Sequence, residues 1–263
     1  MNIVVCVKAV PDPKEAAKIK IDPRTGRLHR DEIALVINPL DRHALEAALH
    51  YKRTREAHLT VISMGPPAAA NIVKECLALG ADQGILLSDS AFGGADAYAT
   101  AFTLAQGIRK IADVNLILCG TASTDGATEW VGPEIAAFLN LPVVAMVKEI
   151  QEDSGNPWKV KADWEEGARL VSVQLPAVFT VTRELNRPRT LSFSGIIKAR
   201  QKTITLWTLA DLNVPPESVG LQGSPTRVGR FGMIETKRSV RMLTGSLEEK
   251  AEALAGILAG EIS

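Results

Sequence analysis

The chain has 263 residues and balances 30 basic against 30 acidic side chains, so its formal net charge is zero. This balance creates no overall field that would attract nucleic acid or an anionic membrane. Hydrophobic residues make up 46% and charged residues 23% of the chain, which favours a folded globular protein over a disordered or collagen-like one. The three cysteines form no C-x-x-C pair, which is typical of a reducing compartment.

The apolar runs of the chain are short. None approaches the ~18 residues that a membrane-spanning helix requires. The first run, residues 3–7, has no basic region before it and therefore predicts a strand rather than a signal peptide. We expect a cytoplasmic protein that does not insert directly into a membrane.

Up to about residue 150, short β-rich runs alternate with helical patterns, which indicates βα units and a mostly parallel sheet with helices on both faces. Asn38, Pro39 and Asp41 suit the N-cap, N1 and N3 positions of a first helix. A second helix opens at Pro66 and ends at Gly80, a residue that suits the left-handed position after a helix. The predicted strands are residues 3–7, 59–64, 85–87, 116–119 and 143–147, and further helices cover about 95–112 and 133–141.

The pattern changes after residue 150. Three short runs, residues 160–162, 170–174 and 177–181, are separated by polar turns and predict an antiparallel extension of the sheet. The fold class predicted for the chain is therefore α/β, a doubly wound and mostly parallel sheet with an antiparallel extension, followed by a C-terminal arm and helix.

The arm is predicted from residues 212–244, which are rich in proline and glycine and show little periodic hydrophobicity. It leads to Ser246 and Glu249, which are spaced as a capping box at the start of an amphipathic helix. We expect a domain of residues 1–211 and a C-terminal segment of residues 212–263. The apolar stripe of the last helix packs either on its own core or on a partner chain.

Common catalytic and metal-binding motifs do not occur in the sequence. The signatures of serine hydrolases, zincins and P-loop proteins are missing, and the four histidines lack metal-ligand spacing. We predict no catalytic residue and no metal site in this chain.

The most informative stretch is residues 120–133, which follow an apolar strand and run into a helix. In doubly wound sheets, ligands bind at the carboxyl ends of the strands. Backbone N–H groups in a loop rich in glycine, serine and threonine suit phosphate oxygens at a helix N-terminus. Two interpretations stay open at this point, a phosphate-binding loop and an ordinary βα loop whose hydroxyls only cap the helix.

Basic charge is concentrated in residues 182–202, which carry six basic side chains against Glu184 alone. Phe193 is the one aromatic residue of this segment, so the stacking platform of a single-strand-binding protein is missing and no nucleic-acid partner is expected. Phe193 is an anchor for a partner's pocket if it is exposed, and ordinary core if it is buried.

Five short motifs occur in a fixed order along the chain. They are residues 7–12 (VKAVPD), 38–49 (NPLDRHALEAAL), 64–66 (MGP), 125–126 (DG) with 131–133 (VGP), and 186–189 (NRPR) followed by 195–199 (GIIKA). In this order they resemble the beta subunit of electron transfer flavoproteins over nearly the whole chain.

The resemblance implies a doubly wound domain with an arm that wraps an alpha subunit, and an FAD held mainly by that alpha subunit. It also implies electron transfer from an acyl-CoA dehydrogenase or related flavoenzyme to a quinone reductase or other acceptor.

The resemblance further implies an adenine nucleotide in this subunit, AMP in the simple carriers and a second FAD in the electron-bifurcating members. Ala127, Glu129 and Trp130 depart from the bifurcating pattern, and an anionic or bulky side chain near a pyrophosphate would alter its contacts. The positions that match the family's nucleotide site are Ala9, Asn38, Met64, Ser123, Asp125, Gly126, Thr128, Val131 and Gly132.

For partner proteins, the resemblance implies docking of the dehydrogenase at Phe193, with Arg189 and Lys198 in the same segment. It implies a contact between Asp163 and the mobile flavin domain, although Asp163 also suits a solvated turn. A different class of function is kept as an alternative, a free-standing ATP- or AMP-binding module of the universal-stress-protein type, in which the same loop holds the nucleotide.

Overall fold

A computed structural model describes residues 1–18, 20–21, 28–29, 34–151, 156–227, 229, 240 and 242–261. The chain divides into two compact units, Met1–Val228 and Gly229–Ser263. The strands are β1 (Asn2–Cys6), β2 (Ala9–Pro11), β3 (Lys20–Ile21), β4 (Leu28–His29), β5 (Leu35–Ile37), β6 (His58–Met64), β7 (Gln83–Leu87), β8 (Val114–Gly120), β9 (Val143–Gln151), β10 (Trp158–Trp164), β11 (Gly167–Val173), β12 (Ala177–Val181) and β13 (Ile204–Trp207). The helices are α1 (Pro39–Arg55), α2 (Ala70–Leu79), α3 (Ala97–Arg109), α4 (Val131–Leu139), α5 (Phe193–Ala199), α6 (Leu209–Leu212) and α7 (Leu247–Glu261).

Within the described residues, the main sheet has nine strands in the order β11-β10-β9-β12-β8-β1-β6-β7-β13. Every neighbouring pair from β9 to β13 in this order is parallel, whereas β10 pairs antiparallel with both β9 and β11. The α/β prediction of a mostly parallel sheet with an antiparallel extension is therefore confirmed.

One strand assignment was wrong. Residues 177–181 are predicted above to belong to the antiparallel extension, but β12 lies inside the sheet and pairs parallel with β8 and β9. All five of its residues are buried. An interior parallel strand is covered on both faces, and this run suits that position because it is apolar except for Thr180, whose buried hydroxyl accepts the N–H of Met146 at 2.9 Å.

Helices cover both faces of the parallel part of the sheet. Successive side chains of β1 point to opposite faces, and because those of residues 3–6 are all apolar, both faces must be covered. Ile3 and Val5 face the core that contains Leu45 of α1 and residues of α2. Val4 and Cys6 face the opposite core, which contains residues of α3 and α4. Each face is thus filled by two helices, which is the doubly wound arrangement.

Several helix ends follow the sequence closely. α1 begins at Pro39, and α2 ends before Gly80, whose φ of 128° is in the region that glycine tolerates. The capping box before α7 is present, because Ser246 N donates to Glu249 Oε2 at 2.8 Å and Glu249 N donates to Ser246 Oγ at 3.2 Å. α4 begins at Val131, two residues earlier than predicted.

The early start of α4 depends on Gly132. A Cβ atom at this position would lie 2.3 Å from Thr180 Cγ2 and 2.9 Å from Cys119 Sγ. Glycine therefore lets the first turn of α4 approach β8 and β12 closely.

None of the helices in the described part of the chain is long and apolar enough to cross a membrane.

Residues 212–227, the first part of the predicted arm, pack within the first unit. Val219 is fully buried, and Asp96 Oδ2 accepts hydrogen bonds from the backbone N–H and the hydroxyl of Thr226 at 2.9 and 2.7 Å. Most of residues 228–241 lie outside the described residues. The domain boundary at residue 212 and the wrapping of an alpha subunit stay predictions.

Two phenylalanines provide a test of this core. Phe179 in β12 is fully buried, whereas Phe193 is 79% exposed. Phe179→Ala should lower the free energy of unfolding by about 3–5 kcal/mol through lost burial and a residual cavity. Phe193→Ala is the matched control and should stay within about 0.5 kcal/mol of the parent. Urea unfolding measures both, and equal effects would contradict the placement of β12.

Candidate functional site

The candidate site lies at the point where the order of the strands in the sheet reverses, next to β1. The chain passes from β1 to β6 on one side, then returns to β8 on the other side of β1. The loops that leave the carboxyl ends of β1 and β8 separate at such a switch point and open a crevice, which is where doubly wound proteins bind ligands. Lys8 and Ala9 follow β1, Met64 ends β6, and residues 121–130 follow β8.

A buried carboxylate joins the ends of β1 and β8. Asp41 Oδ2 accepts the backbone N–H of Lys8 at 2.8 Å, and Asp41 Oδ1 accepts the backbone N–H of Gly120 at 2.9 Å. A Cβ at position 120 would lie 2.6 Å from Asp41 Oδ1, so glycine is required there. Burial raises the pKa of Asp41 to about 6, although hydrogen bonds from Lys8, Asn38 and Gly120 oppose the rise.

Asn38 occupies the N-cap position of α1, but its side chain makes no capping hydrogen bond. Its amide instead binds the loop after β8, with Nδ2 donating to Ala122 O at 2.9 Å and Oδ1 accepting from Thr124 N at 3.2 Å. Asn38 is 1% exposed, and its own N–H donates to Lys8 O at 2.9 Å. This residue therefore fixes the backbone of both loops.

The loop then makes a tight turn around Ser123. The hydroxyl of Ser123 accepts the N–H of Gly126 at 3.3 Å, and its carbonyl accepts the N–H of Ala127 at 3.0 Å. The ammonium group of Lys8 donates to Asp125 Oδ1 at 2.6 Å and to Ser123 Oγ at 3.3 Å. Burial opposes ionisation of Asp125, but the hydrogen bond and charge of Lys8 outweigh it and hold the pKa of Asp125 below its usual value.

The second half of the loop is exposed and strained. Ala127 and Glu129 have positive φ angles of 47° and 62°, a region that costs energy for residues other than glycine. Trp130, at the N-cap position of α4, is 63% exposed. Such backbone conformations occur at ligand-binding loops and also at helix ends, as at Glu56 and Asn140 after α1 and α4.

The residues predicted from the sequence fall into two groups. Ser123, Asp125 and Gly126 are joined by hydrogen bonds to one another or to Lys8, and Asn38 binds Lys8 through its backbone N–H and the same loop through its side chain. The others surround this cluster or continue from it: Ala9 pairs with Ile37, Met64 ends β6, Thr128 is exposed in the loop, and Val131 and Gly132 begin α4. The structure leaves their role as ligand contacts a prediction.

The sequence places the segment that begins at Lys8 beside this loop, but it indicates neither the ion pair of Lys8 with Asp125 nor the role of Asp41. Asp41 is recognisable as a residue of the first helical turn, but its partners are 33 and 79 residues away in the chain. The one available signal for Lys8 is its position directly after the first strand. No group of three histidine, cysteine or acidic side chains suited to a metal ion occurs in the described residues.

The basic segment is held against α1. Arg189 forms a bidentate ion pair with Glu46, with both N···O distances 2.7 Å, and its backbone N–H also donates to Glu46 Oε2 at 3.1 Å. Asn186 Nδ2 donates to the carbonyl of His43 at 2.9 Å. Arg189, which is predicted to dock a partner, is thus already bound within the chain.

Phe193 lies at the start of α5 and is exposed, so it is not a core residue. Its contact with a partner stays a prediction. Lys198 is exposed on the same helix. α5 packs closely on α2, because a Cβ at Gly195 would lie 2.2 Å from Ala78 O. Leu191, Ile196 and Ile197 are also exposed, so Phe193 belongs to an apolar surface on a firmly held helix.

Asp163 lies in β10, within the antiparallel extension, and forms an ion pair with Lys148 of β9. The neighbouring Trp164 is 56% exposed, and the guanidinium of Arg169 lies 4.1 Å from its ring centroid. Asp163 is therefore in an ordered strand rather than in a solvated turn. Its contact with a flavin domain stays a prediction.

The fold and this site define the doubly wound α/β class whose ligands bind at a switch point. Residues 25–212 match the electron transfer flavoprotein domain. The chain belongs to the electron transfer flavoprotein family.

Curated relatives match it along nearly their whole length. The chain is 43% identical to the electron transfer flavoprotein subunit beta of Clostridium acetobutylicum, over 95% of both chains. It is 44% identical to the caffeyl-CoA reductase-Etf complex subunit CarD of Acetobacterium woodii, over 94% of this chain and 93% of the relative. It is 35% identical to the acryloyl-CoA reductase electron transfer subunit gamma of Anaerotignum propionicum, over 97% and 96%.

These similarities confirm the expected family and an electron-transfer role of the beta-subunit type. They do not favour the alternative of a free-standing universal-stress-protein module. The family works in flavin-linked electron transfer.

Asp41 can be tested by the pH dependence of stability. Its carboxyl has a pKa of about 6 when folded against an ordinary 3.8, so the folded chain binds more protons between about pH 4 and 6. Stability must then fall as pH rises through that window. Urea unfolding should show the free-energy difference between the parent and Asp41→Asn decreasing from pH 4 to pH 6.

Asp82 is a control of opposite sign. Burial raises its pKa, but Lys52 and the N–H of Leu59 outweigh burial and lower the net value. The contribution of ionised Asp82 to the free energy of unfolding is present above its ordinary pKa and is lost only at lower pH. The difference in the free energy of unfolding between the parent and Asp82→Asn should therefore not fall between pH 4 and pH 6. A flat or rising difference for Asp41→Asn would contradict the burial of an ionisable Asp41.

Proposed function

We propose that this chain is the beta subunit of a heterodimeric electron transfer flavoprotein. In this role it carries electrons between acyl-CoA dehydrogenase-type flavoenzymes and a quinone reductase or other acceptor. The observation that carries the proposal is the combination of end-to-end similarity to beta-type subunits with an organised loop at the switch point. The names of two relatives include reductases of CoA thioesters, which supports a partner flavoenzyme that acts on such substrates.

In the proposed heterodimer, an FAD is shared with the alpha subunit and an adenine nucleotide, AMP or a second FAD, binds at the loop of residues 121–130. The residues present suit a phosphate group. The Ser123 hydroxyl, the Gly126 N–H and the Lys8 ammonium lie close together at the carboxyl end of β8, and Asp125 is neutralised by Lys8. FAD, when bound, supplies the electron-accepting and electron-donating chemistry, while the protein contributes position and electrostatics.

The docking surface of the proposal is α5 with Phe193 at its first position. An exposed aromatic side chain on a preorganised helix loses little freedom on binding and suits a pocket of the partner flavoenzyme. In this proposal Lys198 contributes charge to the surface, while Arg189 supports it through Glu46 rather than by contacting the partner. We assign Asp163 to the contact with the flavin domain of the alpha subunit.

The proposed compartment is the cytoplasm. Cys6, Cys76 and Cys119 are buried free thiols, and burial raises their pKa values well above the ordinary range. Such thiols behave as small apolar side chains and not as disulfide partners, which supports a reducing environment.

Identification of the bound nucleotides tests the function. The chain should co-purify with its alpha subunit as a yellow complex, and denaturation followed by mass spectrometry should release either one FAD and one AMP or two FAD per heterodimer. The first result defines a simple carrier and the second an electron-bifurcating member. A stable, colourless chain that binds no alpha subunit and retains one ATP would contradict the proposal and favour the stress-protein type of module.

Phe193→Ala tests the docking surface. Truncation of a buried interface anchor commonly costs more than about 1–2 kcal/mol, so electron transfer from the dehydrogenase should slow about tenfold at low partner concentration. Flavin reduction followed by absorbance measures the rate, and the released FAD measures flavin content, which should be unchanged.

Leu206→Ala is the control, because Leu206 is an exposed apolar residue of β13 outside α5. It should leave the rate within about twofold of the parent. An unchanged rate for Phe193→Ala, or loss of flavin from that variant, would contradict the docking assignment.

A further inference from the structure

Lys8 is a cation at the candidate nucleotide loop, and it is not among the nine positions predicted above for the nucleotide site. Its ammonium group donates to Asp125 Oδ1 at 2.6 Å and to Ser123 Oγ at 3.3 Å. A lysine ammonium has three N–H donors. Within the described residues, two of them therefore have acceptors in the chain and the third does not.

The backbone of Lys8 is fixed on both sides. Its N–H donates to the buried carboxylate of Asp41 at 2.8 Å, and its carbonyl accepts from the N–H of Asn38 at 2.9 Å. The side chain is 46% exposed, so the flexible stem reaches from a rigid base into solvent at the mouth of the loop. A side chain held in this way needs little ordering when a ligand arrives.

The position of the ammonium relative to the loop is the second observation. A Cβ built on Gly126 would lie 3.8 Å from Lys8 Nζ, and the N–H of Gly126 donates to the same Ser123 hydroxyl that Lys8 contacts. The Gly126 N–H and the Ser123 hydroxyl are therefore engaged within the turn, the hydroxyl with Asp125, and of these three donor groups it is the Lys8 ammonium that keeps an N–H without an acceptor among the described residues. A charged N–H donor of this kind suits a phosphate oxygen.

Charge at the loop requires a cation. Asp125 and Glu129 both lie in residues 121–130 and would repel a phosphate dianion. Among the described residues, Lys8 is the basic side chain seen in contact with this loop. It offsets the charge of Asp125, so that Glu129 is the negative charge that an anion still meets within residues 121–130.

We propose that Lys8 is a phosphate ligand of the nucleotide bound in this subunit, with its third N–H donating to a phosphate oxygen while Asp125 and Ser123 hold the ammonium in place. The inference rests on the proposed nucleotide site. It assigns the recognition of the ligand's phosphate, rather than its adenosine part, to Lys8, two residues after the end of β1.

A purely structural role for Lys8 predicts something different. If the ion pair with Asp125 only shapes the loop, Asp125→Asn breaks the same pair and should cost as much AMP affinity as Lys8→Gln. A phosphate contact makes Lys8→Gln the more damaging change, because Asp125→Asn leaves the ammonium at the loop and removes a negative charge. The comparison of AMP with adenosine then shows whether the lost affinity belongs to the phosphate.

The experiment uses the heterodimer of the full chain with its alpha subunit, freed of the nucleotide of this subunit by dialysis. Equilibrium dialysis measures AMP, adenosine and additional FAD. Lys8→Gln should weaken whichever of AMP and FAD binds by about ten- to hundredfold, the loss expected for a charged hydrogen bond, and change adenosine affinity by less than about twofold. Lys8→Arg keeps the charge and should recover most of the preference for AMP over adenosine.

Lys52→Gln is the matched control. Lys52 also pairs with one aspartate, Asp82, but at the opposite end of the sheet, where β7 begins. The control removes the same charge and one ion pair, and should leave AMP affinity within about twofold of the parent.

Three kinds of result would overturn the inference. Equal losses of AMP and adenosine affinity in Lys8→Gln, or equal losses of AMP affinity in Lys8→Gln and Asp125→Asn, would reduce Lys8 to a structural role, and unchanged AMP and FAD affinity would remove it from the site. Both leave the proposed nucleotide site intact. A parent heterodimer that binds neither AMP nor a second FAD would instead overturn the nucleotide site itself, and the role of Lys8 with it.

Discussion

The candidate site depends on one buried interaction, the acceptance of two backbone N–H groups by the carboxylate of Asp41. The two donors, at Lys8 and Gly120, follow β1 and end β8, the strands on either side of the switch point. β1 and β8 are neighbouring parallel strands whose following loops separate, and no turn connects the two. A common hydrogen-bond acceptor therefore fixes the two strand ends relative to each other. α1 supplies it from its first turn, and a glycine at position 120 makes the approach possible. Without this anchor, neither the Lys8 ammonium nor the Ser123 turn would have a fixed position.

Much of the fold follows from the sequence because its causes are local. The N-cap, N1 and N3 positions of α1, the glycine after α2 and the capping box of α7 are all short-range patterns, and they occur where predicted. The position of β12 in the sheet cannot be predicted in this way, because the same short apolar run suits an edge strand or an interior one. Its parallel pairing depends on β8 and β9, which lie far away in the chain.

The site is less predictable than the fold for the same reason. The sequence indicates the loop of residues 121–130 and Asn38, but it suggests that Asn38 caps a helix, whereas the side chain binds the loop 84 residues further on. Arg189 is a similar case, since its partner Glu46 lies 143 residues away. Such pairs form only after the strands are in order, so residue type and spacing cannot reveal them. The exposure of Phe193 likewise depends on how α5 packs against α2.

α1 holds two separate segments of the chain along its length. Its start holds the end of β8 through Asp41 and the loop of residues 121–130 through Asn38, and the residues that follow hold the basic segment through His43 and Glu46. Eight residues of helix rise by about 12 Å, so one rigid rod spaces both surfaces. An insertion of a single residue between Asp41 and Glu46 would rotate one surface about 100° relative to the other. The length of this one helix therefore sets both the spacing and the relative orientation of the two segments that it holds.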